Sequence, residues 1–136
     1  MDIQNLGYAL TQVAHNFGAS AVTGGAVAAL WLKPRPEADR LLAWLVLTGW
    51  CMQVASGAVF GAISFYYYGK FPDISPVATG ALAIKVSCAA TAFLLASFYL
   101  FRGAGKPESW RHNVWLALTI LGATALSAAA FLRWFS

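Results

Sequence analysis

The chain has 136 residues, 60% of them hydrophobic and 10% charged, and a formal net charge of +4. A soluble domain carries about 25% charged residues, so this chain cannot cover itself with a wetted face and its expected solvent is a bilayer. The positive balance does not suggest a nucleic-acid surface. The basic residues fall in short stretches beside apolar runs, and no basic stripe carries interleaved aromatics. They are expected to act as topology signals and to meet lipid headgroups.

The first apolar run covers residues 7–32 and reads GYALTQVAHNFGASAVTGGAVAALWL. The preceding residues have neither a basic region nor a small-residue cleavage site, so the run is expected to stay in the mature protein rather than be removed as a signal peptide. Residues 33–40, KPRPEADR, hold two prolines and five charges and read as a turn outside the membrane. The second run, 41–68, has no charge at all. GKFPDISPVATG, from Gly69, is a second turn that leads into a third run at 78–101, which contains Lys85. RGAGKPESWRHN, 102–113, is the third turn, and the fourth run covers 114–135. Runs of about 20 residues match a hydrocarbon core of about 30 Å at 1.5 Å rise per residue, and helices satisfy their own backbone groups there. The predicted fold is all-α: an integral-membrane four-helix up-down bundle, a single membrane domain over 1–136, with sequence neighbours antiparallel.

The turns also predict orientation. Lys33, Arg35, Arg40, Arg102, Lys106 and Arg111 fall on one side, with only Lys70 and Arg133 on the other. The richer side is expected in the cytoplasm. This puts both termini outside a bacterial inner membrane, on its periplasmic face. Trp31, Trp44, Trp110 and Trp115 flank the basic turns, while Tyr66, Tyr67, Tyr68, Phe71 and Trp134 mark the opposite interface. Expected partners are the lipid bilayer and other membrane subunits or further copies of the chain, with no nucleic acid.

Two ionisable residues stand inside the runs. His15 lies about 11 Å along its helix from Tyr8, and Lys85 about 12 Å from Val77. Both are counted from the same side, so they share a level and can face a common cavity. An intramembrane ionisable group is by default a functional hypothesis. A neutral imidazole ligates haem iron, copper or zinc, and a lysine beside it can pair with a propionate, an anionic substrate or a lipid phosphate. The alternatives are structural: Lys85 snorkelling to the headgroups, and His15 bonded to Gln12, Asn16 or a facing carbonyl. Gly18, Val22 and Gly25 share the His15 face, either for close helix packing or as room for a flat cofactor. Gly57 and Gly61 form a small-xxx-small step for helix approach.

Other candidates are thinner. Cys51, Met52 and Cys88 offer soft sulfur for copper near mid-membrane, although a buried thiol is more often a small hydrophobe. Thr48 and Gln53 can complete a cavity. His112 belongs to the third turn, at the opposite face from His15. Asp2, Glu37, Asp39, Asp73 and Glu108 all fall in termini or turns, which argues against a carboxylate proton relay or cation pump. Whether the chain is an enzyme stays open.

The segment HNFGASAVTGG, from His15 to Gly25, resembles the opening helix of the copper-resistance-D-like membrane domain. LTG from Leu47 and ALAIK ending at Lys85 follow in the order seen in that domain and in its relative, the HemJ-type protoporphyrinogen oxidase. Val22 stands where a tryptophan is usual, and the Tyr-Leu-Pro-Arg run of HemJ-type proteins is absent. The resemblance implies a four-helix core with His15 and Lys85 as functional positions. It implies haem b in one branch, and copper uptake across the inner membrane in the other. On that basis the chain is expected to be a small haem-b electron-transfer protein. His15 would be its metal ligand, Lys85 would lie near the same site, and Gly18 and Gly25 would give the porphyrin space. Copper handling through His15 with Cys51, Met52 and Cys88, or a non-catalytic accessory subunit of a larger membrane complex, are the alternatives.

Overall fold

A computed structural model describes residues 2–32, 35–71 and 74–135. Lys33 of the first turn and Pro72 and Asp73 of the second lie outside these described residues. Four helices account for nearly all of the rest: α1 (Ile3–Leu32), α2 (Pro36–Tyr68), α3 (Pro76–Arg102) and α4 (Glu108–Phe135), with a single 3-10 turn at Gly103–Gly105. The described residues contain no strand. The all-α bundle is as the apolar runs predict.

Each helix end has a local cause. Asp2 Oδ1 accepts from the Gln4 N–H at 3.0 Å and caps the start of α1. Pro36 occupies the first turn of α2, where its missing N–H is harmless, and Glu37 and Asp39 sit at the positive end of the same helix. Gly69 ends α2 in the left-handed conformation at φ 68°, its N–H donating to the Phe65 carbonyl. Ser75 caps α3, its side chain accepting from the Ala78 N–H at 3.2 Å, with Pro76 following. The helices therefore outrun the apolar runs. KPRPEADR is not all turn, because α2 starts at Pro36 and takes in Glu37, Asp39 and Arg40. Likewise, α4 starts at Glu108 and takes in Arg111 and His112.

Three helical segments, Pro36–Tyr68, Pro76–Gly105 and Glu108–Phe135, are long and apolar enough to cross a membrane. By the same measure α1 does not reach that apolarity, since Gln12, His15, Asn16, Ser20 and Thr23 dilute it. The bundle forms two hairpins, α1 with α2 and α3 with α4, whose internal packing is more extensive than the packing between them. One end of the bundle carries the α1–α2 and α3–α4 turns with most of the basic residues; the other carries the termini and the α2–α3 turn. We call these the basic end and the terminal end.

The core is uneven along this axis. Trp50, Leu118 and Val46 are the largest fully buried side chains, and with Val22, Tyr99, Val114 and Trp115 they fill the middle and the basic half. Among the described residues beyond the level of Gln53 and Ser56, the side chains buried toward the terminal end are small: Thr11, Ser64, Ala78, Ala81, Ala125 and Ala128. Hairpin α1–α2 closes at Gly18 and Gly49. A Cβ on Gly18 would lie 3.0 Å from the Gly49 carbonyl oxygen, and one on Gly49 would lie 3.0 Å from that of Gly18. Gly57 is exposed with open space around it, and Gly61 meets only Phe71. The expected Gly57/Gly61 approach between helices is therefore corrected. The close crossing is about two to three helical turns nearer the basic end, at residues where both helices present glycine to each other.

Candidate functional site: a histidine–lysine–serine array

The site begins with a serine. Ser56 on α2 donates its hydroxyl hydrogen to the Met52 carbonyl at 2.5 Å, one helical turn back. Its oxygen is then left to accept, and His15 Nδ1 lies 2.7 Å away. The Nδ1–H donates there, which places the lone pair of a neutral imidazole on Nε2. Lys85 Nζ, from α3, lies 2.9 Å from Nε2 and donates to it. Gln53, buried on α2, donates from Nε2 to the His15 carbonyl at 2.5 Å and fixes the backbone beneath the ring. Phe60 meets the imidazole edge-on, with ring centroids 5.9 Å apart, and Tyr8 stacks on Phe60 at 6.1 Å.

Lysine, histidine and serine thus join three helices in one directional chain of donors and acceptors, at the border between the packed half and the small-residue half. Lys85 does not snorkel; it is half-buried and turned inward. Gln12 and Asn16 bond each other at 2.7 Å on the exposed side of α1 and do not engage the ring.

The glycines do not serve the site as expected. At Gly18 a Cβ would meet the Gly49 oxygen and the Met52 Cβ at 3.0 Å and Gln53 Nε2 at 3.1 Å, and at Gly25 it would meet Val46 Cγ2 at 2.8 Å. Helix α2 already fills the space that Gly18 and Gly25 were expected to leave for a porphyrin. The correction follows from van der Waals packing, in which small residues in membrane helices let backbones approach. The sulfur set does not assemble either. Cys51 is exposed on α2, Cys88 is buried in the apolar core, and Met52 is half-buried with its Cβ against Gly18. Among the described residues no three His, Cys, Asp or Glu side chains cluster as a metal site. Thr48 and His112 are exposed.

A second polar cluster was not expected. Asp39 is buried in the first turns of α2. Its carboxylate accepts from the Tyr99 hydroxyl and, at 2.8 Å, from Trp115 Nε1, while Arg111 approaches to 3.8 Å. Tyr99 stacks on Trp110 with centroids 5.9 Å apart. Trp115 is thus a core residue rather than an interface marker, and Asp39 is a carboxylate inside a helix rather than in a turn. Pro36 followed by Glu37 and Asp39 is the signature of a helix start and was the available signal.

Comparison with known proteins returns nothing. No family model, curated protein or solved structure matches the chain. The site must be read from its own chemistry. Nε2 of His15 carries the lone pair of the ring, which Lys85 Nζ occupies at 2.9 Å, and the orientation of the ring is set by the bond at Nδ1. His15 offers a single imidazole nitrogen as a metal ligand, hydrogen-bonded to Lys85, and the glycine flank leaves no room for a porphyrin beside it.

Proposed function

We propose that the chain is a multi-pass protein of the bacterial inner membrane with both termini on the periplasmic side, and that His15 ligates haem b through Nε2 in a small electron-transfer protein. The observation that carries the reading is the fixed imidazole: Ser56 holds Nδ1–H, so the lone pair is on Nε2, where Lys85 donates and from which it would turn aside for iron. Haem, when bound, supplies one-electron redox chemistry. Ser56 sets the tautomer of the ring, Gln53 anchors its backbone, and Lys85 brings a positive charge for an acidic side arm where the surroundings offer little water. The order of the His15–Gly25, Leu47 and Lys85 segments, which resembles the HemJ-type branch, is what favours haem over copper, and the six-to-two distribution of basic residues supports the orientation.

The test is a reduced-minus-oxidised visible spectrum of the detergent-purified protein from haem-sufficient cells, with His15→Ala beside it. The expected result is a b-type band that disappears in the variant while the helical circular dichroism is retained. A colourless wild-type protein overturns the haem assignment, and a band of equal intensity in His15→Ala overturns the ligand.

A further inference from the structure

We propose that the α3–α4 turn is a binding site for one anionic phospholipid, with the lipid phosphate between Arg102 and Lys106 and the acyl chains against Phe98 and Phe101. The proposal rests on the membrane reading and is independent of haem. It starts from a groove at the basic end whose walls are Phe98, Phe101, Arg102, Gly105 and Lys106. The last turn of α3 divides its side chains. Tyr99 turns inward to Asp39, whereas Phe98 and Phe101 are 48% and 81% exposed on the outside. Gly103 then packs against the Tyr99 ring, where a Cβ would come within 3.3 Å of it, and the 3-10 turn folds tightly enough to bring Lys106 back over the helix end.

Lys106 is held by an aromatic contact at the groove. Lys106 Nζ sits 5.8 Å over the Trp110 ring, and Trp110 is itself fixed by Phe98 edge-on at 5.9 Å and by Tyr99 stacked at 5.9 Å. Arg102 stands at the other side of the same groove. Among the described residues neither cation is paired with a carboxylate; the ion pair at this end is Arg111 with Asp39. The result is an amphipathic groove at the end of a membrane-crossing helix: two phenyl rings toward the apolar layer, and two unneutralised cations with a backbone turn toward the headgroups. A phospholipid has that same division along its length. A free phosphate would leave the phenyl wall uncovered, and a zwitterionic headgroup would carry its own cation into a site that already holds two. Basic groups at a membrane surface favour anionic lipid, and a guanidinium presents a fork of donors to a phosphate.

Electron spin resonance with spin-labelled phosphatidylglycerol and phosphatidylcholine, on the full chain reconstituted in phosphatidylcholine at physiological salt, reads the preference directly. Wild type should show a saturable immobilised component favouring phosphatidylglycerol by roughly fivefold or more. In the double variant Arg102→Gln/Lys106→Gln that preference should fall to near unity. Arg35→Gln/Arg40→Gln removes the same charge from the same end outside the groove and should keep most of the preference. Equal immobilisation of the two lipids by the wild type overturns the proposal. Equal losses in the two double variants also overturn it, since the attraction would then belong to the net charge of the end and not to a built site.

Discussion

At the scale of single residues, the axial positions of His15 and Lys85 were legible and their rotations were not. Helical rise alone puts both at one level, but the run around Lys85 is apolar on its other faces and polar residues flank His15 on more than one face, so the sequence carries little record of which way each side chain turns. Asp39 was illegible for a different reason. Prolines and charges crowd residues 33–40 and mimic a loop, whereas Pro36 is the first turn of a helix and the carboxylate is buried by Tyr99 and Trp115, residues 60 and 76 positions away. Its role can be weighed. Asp39→Ala would leave the Tyr99 hydroxyl hydrogen buried without its acceptor, the Trp115 indole N–H with only its longer bond to the Tyr99 oxygen at 3.2 Å, and Arg111 without its counter-charge, at a cost of about 2–4 kcal/mol. Asp39→Asn keeps an acceptor oxygen and should cost less. Thermal unfolding of the two variants in one detergent orders them; equal melting temperatures for wild type and Asp39→Ala would show the cluster to be energetically silent.

At the scale of helices, the number and order of the elements followed from apolar run length, while their ends depended on caps lying among charged residues. Helix contact was the harder reading. Gly57 and Gly61 have the spacing of an approach motif, but spacing does not say whether a partner is present, and the bundle leaves Gly57 facing outward. The contact is at Gly18 and Gly49, which share no motif because each sits on a different helix. Gly18→Val should therefore cost about 1–3 kcal/mol by overpacking against backbone that cannot yield, whereas Gly57→Ala should stay within about 0.5 kcal/mol of wild type. Unfolding in sodium dodecyl sulfate titrations distinguishes them, and the reverse order would mean that α2 packs on α1 through its other face. A second consequence of the crossing is that Gly18→Val pushes α2 away just where Ser56 and Gln53 reach His15, so the haem band, if present, should shift or weaken in that variant.

At the scale of the whole molecule, the helix that carries His15 is the one that falls short of the apolarity of a membrane-crossing segment. Four crossing helices return the chain to the side on which it began, whereas three put the termini on opposite sides. Reporter fusions at the two ends should therefore give the same compartment signal. Opposite signals would mean that α1 lies outside the hydrocarbon layer, which would also remove the physical argument for treating His15 as an intramembrane group.

The division of the bundle into two internally packed hairpins bears on how it can be made. The polar links between the hairpins are concentrated at two levels, His15 with Lys85 near the middle and Asp39 with Tyr99, Trp115 and Arg111 at the basic end. Each hairpin has at least one helix long and apolar enough to cross a membrane, and in membranes stable helices insert first and associate afterwards. Covalent continuity between the two hairpins is then expected to be dispensable for these contacts. Genes for residues 1–70 and 74–136, expressed together, encode two halves that carry complementary polar teeth, and their reunion would make the interface between hairpins a measurable bimolecular equilibrium.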